Sequence, residues 1–251
     1  MKKTFTLKCG TFGMGRTKIC APIVAVKQAD IWMKAEEIAG TSVDIVEWRA
    51  DFYEDVFDRE KVLETLLGLK ERLQEKDLLF TFRTKGEGGN LAIDKDAYYE
   101  LNQTAAASGC VAFVDLEMFF GENRTTEEIQ KIHMAGSRVI TSNHDFFKTP
   151  SVDEMTARLK KMEAAGADVA KLAVMPKSRQ DVLMLLEASV AADEAVSIPL
   201  ITMSMGELGV VSRVAGDLTG SAMTFAAVGA ASAPGQIPAQ QMAAILNALN
   251  K

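Results

Sequence analysis

The chain has 251 residues, 28 of them basic and 34 acidic, so its formal net charge is 28 − 34 = −6. An apolar share of 48% can fill a sizeable core, and the length suits one domain spanning residues 1–251. The negative charge argues against nucleic acid as a partner, because binding a phosphate backbone requires a basic face. Two histidines and three scattered cysteines offer no zinc-binding spacing, so we expect no metal site.

The sequence also indicates where the protein acts. No uninterrupted apolar stretch reaches the roughly 18 residues that a membrane helix needs, so we expect no membrane partner. The odd number of cysteines and the absence of a signal-peptide pattern predict a cytoplasmic location.

Eight short apolar runs predict eight β-strands. The runs are too short for buried helices and rich in Val, Ile and Phe, which is typical of parallel strands covered on both faces. They occupy residues 23–26, 43–48, 78–82, 111–116, 138–142, 168–174, 199–203 and 222–228. Segments with helical periodicity separate them, and two capping-box patterns, Ser151 with Glu154 and Thr125 with Glu128, predict helix starts.

Eight β–α units in about 250 residues predict an α/β protein with the TIM (β/α)8 barrel fold. The alternative is an open doubly wound sheet, but such sheets usually have fewer strands, and residues 26–31 contain no Gly-rich phosphate turn. Residues 4–19, with glycines at positions 10, 13 and 15, precede the first strand. They predict an N-terminal β-hairpin that closes the bottom of the barrel.

Charged residues concentrate at the carboxyl ends of the predicted strands. Glu47 and Arg49 end the second strand, Arg83 follows the third, and Asp115 and Glu117 end the fourth. Barrel enzymes keep their active sites at this mouth, so we expect these groups to converge there. The alternative is a ring of salt bridges that only closes the barrel.

Lys171 lies in the middle of the sixth predicted strand, among alanines and valines. Burial disfavours the charged ammonium, and a neutral amine can attack a carbonyl carbon to form a Schiff base. The alternative is a lysine kept charged by Asp115 or Glu117, as in a binding barrel without catalysis.

The predicted acid–base group is His144, at the end of the fifth strand, because imidazole titrates in the range that imine chemistry requires. The other histidine, His133, falls within a predicted helix, where we expect a surface or packing role. Arg213 follows the seventh strand and, with Arg49 and Arg83, predicts an anionic, oxygen-rich substrate, although a surface role for Arg213 is the alternative.

Two further features belong to the same mouth. Met203 shares a strand face with Met205, where methionines normally pack, although they could also wall a ligand. Residues 229–236, with small side chains and one proline, predict a loop that closes over the ligand and brings Ser232 and Gln236 with it. The alternative is an ordinary β–α connection.

Several sequence blocks form a distinctive set along the chain. They are 44–49 (DIVEWR) with Asp51, 79–83 (LFTFR) with 87–89 (EGG), 114–117 (VDLE), 142–146 (SNHDF) with 148–150 (KTP), 171–176 (KLAVMP), 201–205 (ITMSM), 211–213 (VSR) and 231–236 (ASAPGQ). Taken together, these blocks resemble the type I 3-dehydroquinate dehydratases, the Schiff-base class of the shikimate pathway. The resemblance implies a lyase that removes water from 3-dehydroquinate by syn elimination, giving 3-dehydroshikimate. It also implies that no cofactor is used and that the enzyme is a homodimer.

The resemblance further implies a role for each matching residue. Lys171 would form the imine, His144 would be the general acid–base, and Glu87 would support its proton chemistry. The implied substrate-binding residues are Glu47, Trp48, Arg49, Arg83, Met203, Arg213, Ser232 and Gln236. Among these, Arg213, Ser232 and Gln236 would hold the substrate carboxylate, whereas Glu47, Arg49 and Arg83 would meet the ring hydroxyls.

One departure and one alternative remain. Some relatives carry a serine in the first strand, where this chain has Cys20-Ala-Pro-Ile-Val24 and therefore offers no hydroxyl. The alternative activity is that of another imine-forming barrel, such as a class I aldolase acting on a small oxo-acid. Such an enzyme would share Lys171 but break a carbon–carbon bond.

Overall fold

The computed structural model describes residues 2–229 and 235–249, which begin with two short antiparallel strands and continue as alternating parallel strands and helices. The strands are β1 (Phe5–Leu7), β2 (Gly10–Phe12), β3 (Lys18–Ile23), β4 (Ile45–Arg49), β5 (Asp77–Thr81), β6 (Phe113–Glu117), β7 (Arg138–Asp145), β8 (Val169–Val174), β9 (Leu200–Ser204), β10 (Met223–Ala227) and β11 (Ile237–Pro238). The helices are α1 (Gln28–Ala39), α2 (Arg59–Leu73), α3 (Lys95–Ala107), α4 (Glu122–Met134), α5 (Val152–Ala164), α6 (Arg179–Ala195), α7 (Gly216–Thr219) and α8 (Ala239–Leu249). No helix within these described ranges is long and apolar enough to cross a membrane.

The parallel strands close into a barrel. Strands β3 to β9 pair in chain order, and β10 pairs with β3. The remaining edges meet just before β10, where Leu200 bridges Ser221 and the Ala222 amide donates to the Leu200 carbonyl oxygen at 2.7 Å. The predicted (β/α)8 barrel is therefore confirmed, and the open sheet is wrong.

The N-terminal hairpin covers the bottom of the barrel, as predicted. Phe12 of β2 is fully buried and packs against Phe113 at the start of β6, with ring centroids 5.6 Å apart. The Lys8 amide donates to the carboxylate of Asp77, the first residue of β5, at 2.8 Å. The hairpin thus lies at the amino ends of the strands and leaves the opposite mouth open.

The first barrel strand lies earlier than predicted. The sequence pattern placed it at residues 23–26 and assigned residues up to 19 to the hairpin, but β3 spans Lys18–Ile23. Pro22 lies inside β3, a position that a strand interior normally avoids because proline has no N–H to donate. The proline therefore concealed the true extent of this strand.

Helix starts were predicted with mixed success. Ser151 caps α5, and its hydroxyl accepts from the Glu154 amide at 3.3 Å, as expected. The start predicted at Thr125 is wrong, because α4 begins at Glu122. Glu128 is buried in that helix and pairs with Arg124 rather than capping a first turn.

The barrel interior changes from apolar to charged along the strands. Its lower inward-facing side chains form one apolar cluster that includes Cys20, Ile45, Leu79, Phe113, Ile140, Val169, Ile201 and Met223. Side chains on one strand face recur every two residues, so the next inward positions are Glu47, Thr81, Asp115, Ser142, Lys171, Met203 and Phe225. The hydrophobic lower layers thus support a layer that is polar on most strands and apolar at Met203 and Phe225.

Candidate active site

A cavity of about 210 Å³ opens at the carboxyl-terminal mouth of the barrel. Its lining residues are Glu47, Arg49, Arg83, Glu87, Gly88, His144, Phe146, Lys171, Ala173, Met175, Met203, Met205, Arg213, Phe225 and Gln236. Charged side chains come mainly from β4 to β8, and the aliphatic and aromatic ones from the later strands. A ligand bound here would meet one polar and one apolar wall.

Lys171 lies at the floor of this cavity, almost fully buried. Its Nζ lies 3.0 Å from Asp115 Oδ2 and 4.8 Å from the centroid of the Phe225 ring. The nitrogen therefore lies beside a carboxylate in an ion pair, and not among apolar groups alone. It must lose a proton before it can attack a carbonyl carbon.

Asp115 is the anionic centre beneath the cavity. Its Oδ1 accepts from the Ser142 hydroxyl at 2.6 Å and lies 2.8 Å from Arg83 Nη2. Complete burial would raise the pKa of Asp115, but the charges of Arg83 and Lys171 outweigh this effect and lower the pKa to about 2. Asp115 is therefore ionised at neutral pH.

Arg83 joins the carboxylates of β6 into one network. Its Nη1 donates to Glu117 Oε1 at 3.0 Å and to the Ser142 hydroxyl oxygen at 2.9 Å. Burial acts to lower the pKa of Arg83, but the carboxylates of Asp115 and Glu117 raise it well above its usual value. The strand-end charges thus do form salt bridges, as the alternative supposed, but they surround an open cavity.

His144 and Glu87 form the second titratable pair. Glu87 Oε2 accepts from the His144 amide at 2.9 Å and lies 2.9 Å from His144 Nδ1. Burial raises the pKa of Glu87 to about 7, and burial together with nearby cations lowers the pKa of His144 well below its usual value. An ionised Glu87 accepts the Nδ1 proton of a neutral imidazole, which leaves Nε2 as the base.

The strand register sets the height of this base above the lysine. Ser142 of β7 is the partner of Lys171 on β8, so His144 stands two residues further along. Two residues of a strand correspond to roughly 7 Å, enough for a small substrate to lie between the two groups.

Arg49 and Glu47 complete the polar wall. Arg49 makes a bidentate pair with Asp51, with Nε and Nη2 each 2.9 Å from a carboxylate oxygen. Asp51 is fully buried and also accepts from the Asn90 amide at 3.0 Å. Glu47 accepts from the Thr81 hydroxyl at 2.9 Å. Both cavity side chains are therefore fixed by hydrogen bonds before a ligand arrives.

Arg213 reaches the cavity from the other side of the barrel. It ends the 3-10 helix Val210–Arg213 that follows β9. Strand β9 lies four strands round the barrel from β5, the strand that precedes Arg83, so the two arginines approach the cavity from opposite sides. The side chain is buried, and this burial lowers the pKa of its guanidinium. Gln236 and Met203 also line the cavity, but Ser232 lies outside the described residues.

Trp48 is not brought to the cavity. Glu47 and Arg49 face inward, so Trp48 between them faces the helices. It is fully buried there, with its ring centroid 5.8 Å from that of Tyr53 and 5.5 Å from that of Phe80. The structure gives no support to a substrate-binding role for Trp48, and the two-residue period already argued against it.

Some lining residues were not predicted. The Phe225 ring lies beside the Lys171 ammonium group, and Phe146 stacks beside His144 with ring centroids 6.5 Å apart. The parity of β10 could have indicated Phe225, whereas Phe146 follows β7 in a loop that has no such period. Among residues 2–229 and 235–249, no three His, Cys, Asp or Glu side chains are arranged to hold a metal ion. His133 lies on α4 and bonds Asp168 at 2.7 Å, in keeping with a structural role.

The site thus combines a buried lysine and a neutral imidazole at the mouth of a closed parallel barrel. These features define a class of α/β-barrel proteins whose site is built around a lysine. Comparison narrows this class, because the family model described as type I 3-dehydroquinase matches residues 19–251. The chain belongs to the type I 3-dehydroquinase family.

The similarity extends over whole chains. A 3-dehydroquinate dehydratase of Listeria monocytogenes is 47% identical over 241 residues, which cover 96% of each chain. One from Klebsiella pneumoniae is 44% identical over 251 residues, which cover both chains fully. A type I 3-dehydroquinate dehydratase of Clostridium difficile, solved with covalently modified comenic acid, matches with a TM-score of 0.97 and 42% identity. That match covers 100% of this chain and 99% of the other.

Proposed function

We propose that this protein is a lyase that removes water from 3-dehydroquinate by syn elimination, giving 3-dehydroshikimate, as a step of the shikimate pathway. The observation that carries the proposal is the buried amine of Lys171 on the floor of a cavity, beneath the neutral imidazole of His144. The identity of the substrate is inferred from membership of the type I 3-dehydroquinase family. The chemistry below follows from the residues present.

The first step joins Lys171 to the substrate ketone. The ammonium gives a proton to His144 through water in the cavity, and the freed nitrogen attacks the carbonyl carbon to form a C–N bond. His144 returns that proton to the carbonyl oxygen. It then carries a second proton from the attacking nitrogen to the same oxygen, which leaves as water. Two of the three ammonium protons are thereby used, and a protonated imine remains on Lys171.

The second step is the elimination. The protonated imine withdraws electrons more strongly than the ketone, so the hydrogen on the neighbouring carbon becomes acidic. His144 Nε2 takes this proton, and the electron pair moves toward the imine nitrogen as an enamine. The enamine then expels the hydroxyl group of the next carbon, which leaves as water with the proton from His144. A second water hydrolyses the imine and restores Lys171.

Glu87 supports the proton transfers made by His144. As an anion it accepts the Nδ1 proton, so it keeps Nε2 basic and stabilises the imidazolium that forms when Nε2 is protonated. Its pKa of about 7 means that this support is lost in mild acid.

The remaining lining residues orient the substrate. We assign the substrate carboxylate to Arg213, Gln236 and Ser232, since a guanidinium binds carboxylates in a bidentate manner. Glu47, Arg49 and Arg83 meet the ring hydroxyls, and Met203 supplies apolar surface. Arg49 is held rigid by Asp51, so it positions the ring without a large entropic cost.

Turnover of 3-dehydroquinate tests the proposal. The product is a conjugated enone, so its ultraviolet absorbance should rise with the wild-type protein and not with Lys171→Met. The matched control is Lys177→Met, which removes an exposed lysine just beyond the same strand and should keep full activity. The proposal is wrong if the wild type produces no enone, or if Lys171→Met turns over at the wild-type rate.

Two further expectations belong to this proposal and rest on the family resemblance. The protein would act in the cytoplasm and form a homodimer. Light scattering on the purified protein should give twice the mass of one chain, and cell fractionation should recover the activity with the cytosol. A monomer mass contradicts the first expectation, and recovery elsewhere contradicts the second.

A further inference from the structure

The hydrogen bonds of Glu87 extend beyond the cavity to a helix. Besides its two hydrogen bonds with His144, Glu87 makes a third, because the Asn143 side-chain amide donates to its Oε1 at 3.1 Å. Asn143 is almost fully buried, and its own Oδ1 accepts from Arg158 Nη1 at 2.9 Å. Arg158 lies on α5 and does not line the cavity. A continuous chain therefore runs from Arg158 through Asn143 and Glu87 to His144.

The direction of this chain is determined by the chemistry of its members. An asparagine amide has one donating and one accepting end, a guanidinium only donates, and a carboxylate only accepts. Reversing the Asn143 amide would place its NH₂ against Arg158 and its oxygen against Glu87. Both contacts would then be repulsive, so Arg158 holds the donating end of Asn143 toward Glu87.

Arg158 is itself held in place. It pairs with Glu154 one turn earlier on α5, and its Nη1 lies 3.7 Å from Asp145 Oδ2. Its side chain is 20% exposed, so the contact with Asn143 is largely shielded from water. A fixed guanidinium at this position can impose one orientation on the buried amide.

We propose that Arg158 and Asn143 are positioning residues that hold Glu87 as a hydrogen-bond acceptor and thereby keep the His144 proton on Nδ1. The inference rests on the proposed function, because it concerns the base of that reaction. Neither residue lines the cavity, so both would act through Glu87.

Other charged groups around Glu87 also act on the pKa of its carboxyl group. Arg83 Nη1 lies 3.7 Å from Glu87 Oε2 and favours the ionised form of Glu87, whereas the negative charges of Glu117 and Asp115 disfavour it. The hydrogen bond from Asn143 also favours the carboxylate. Losing that bond would raise the pKa of Glu87 further, so Glu87 would take up its proton at a higher pH.

The first test is the pH profile of turnover. In Arg158→Met, the acidic limb of kcat/KM should move up by about half to one pH unit, and kcat should fall about threefold to tenfold with little change in KM. Arg158→Lys keeps a donor for Asn143 Oδ1 and should restore much of the wild-type profile. Lys160→Met removes an exposed cation from the same helix and is the matched control.

A double variant distinguishes the proposed hydrogen-bond chain from Arg158 through Asn143 to Glu87, here called the relay, from a general loss of packing. Asn143→Leu should show the same upward shift, and Arg158→Met/Asn143→Leu should be no worse than Asn143→Leu alone, because both act through one path. Additive losses without a shift of the acidic limb would overturn the relay. Thermal unfolding of each variant shows whether it is folded.

Imidazole nitrogen NMR tests the relay without any substrate. The chain has two histidines, so His133 serves as an internal reference. At pH 8 the wild type should show His144 with its proton on Nδ1, and Arg158→Met should show a larger share on Nε2. An unchanged tautomer in a folded Arg158→Met overturns the inference, even if the protein turns over another substrate. Failure of the wild type to dehydrate 3-dehydroquinate contradicts the proposed function instead.

Discussion

Replacing Asp115 by asparagine removes the anion on which the buried cations of the barrel depend. Asp115 is completely buried, and its two oxygens lie 3.0 Å from Lys171 Nζ and 2.8 Å from Arg83 Nη2. Asparagine has nearly the same shape and can still accept from Ser142. The variant Asp115→Asn therefore tests the charge and leaves the packing almost unchanged.

The magnitude follows from the pKa of this carboxyl. Lowering this pKa from 3.8 to about 2 means that the ionised form contributes roughly 2–3 kcal/mol to the free energy of unfolding. Removing one partner of a buried ion pair typically costs about 3–5 kcal/mol, because the other charge remains without compensation. We expect a loss of about 2–5 kcal/mol in the free energy of unfolding at pH 7.

The dependence on pH gives the sharper test. The pKa of Asp115 is lower in the folded state, so its stabilisation is present at neutral pH and is lost as the pH falls from about 4 toward 2. The difference between wild type and Asp115→Asn should therefore be about 1 kcal/mol smaller at pH 3 than at pH 7. Urea unfolding at both pH values measures it, with exposed Asp30→Asn as the control. A difference below about 1 kcal/mol at pH 7, or one equal at both pH values, would refute the reasoning.

The other predictions concern His144 and Glu87. In His144→Ala, turnover should fall sharply, while borohydride still traps an adduct that forms more slowly because water replaces His144 in the proton transfers of imine formation; if substrate binding falls equally, the residue positions substrate and does not move protons. Wild-type kcat/KM should decrease as the pH falls through about 7, because Glu87 becomes protonated and Nε2 of His144 stops being the base; a flat profile down to pH 5 would exclude this role. The pKa of Glu87 is raised from 4.5 to about 7 in the folded state, so this carboxyl costs stability that grows as the pH rises from about 4.5 and is complete above pH 7. Glu87→Gln should therefore be inactive yet more stable at pH 8, by about 1–3 kcal/mol in urea unfolding, and a less stable variant would contradict the assigned burial cost.

The fold was predictable because its strands are covered on both faces. Such strands are continuous apolar runs, and eight of them separated by helical segments leave few architectures. The failures have local causes. Pro22 concealed the first strand, and the spacing of Thr125 and Glu128 imitates a helix start although Glu128 is a buried partner of Arg124.

The site was predictable to a different degree. Strand parity places Glu47, Arg49 and Lys171 inside the barrel, and the same parity should have excluded Trp48. The choice of partners is a property of the register and tilt of neighbouring strands, which one sequence does not show. The pairing of Lys171 with Asp115, rather than with Glu117, is therefore visible only in the structure.

Reduction with borohydride in the presence of 3-dehydroquinate tests the central claim most directly, because it examines the substrate, the imine and the residue together. Intact mass should show one ligand-derived adduct per chain, and peptide mapping should place it on Lys171. Lys171→Met should give no adduct, whereas Lys177→Met should be labelled as the wild type is. The absence of an adduct on the wild type, or an adduct on a different lysine, would contradict the account.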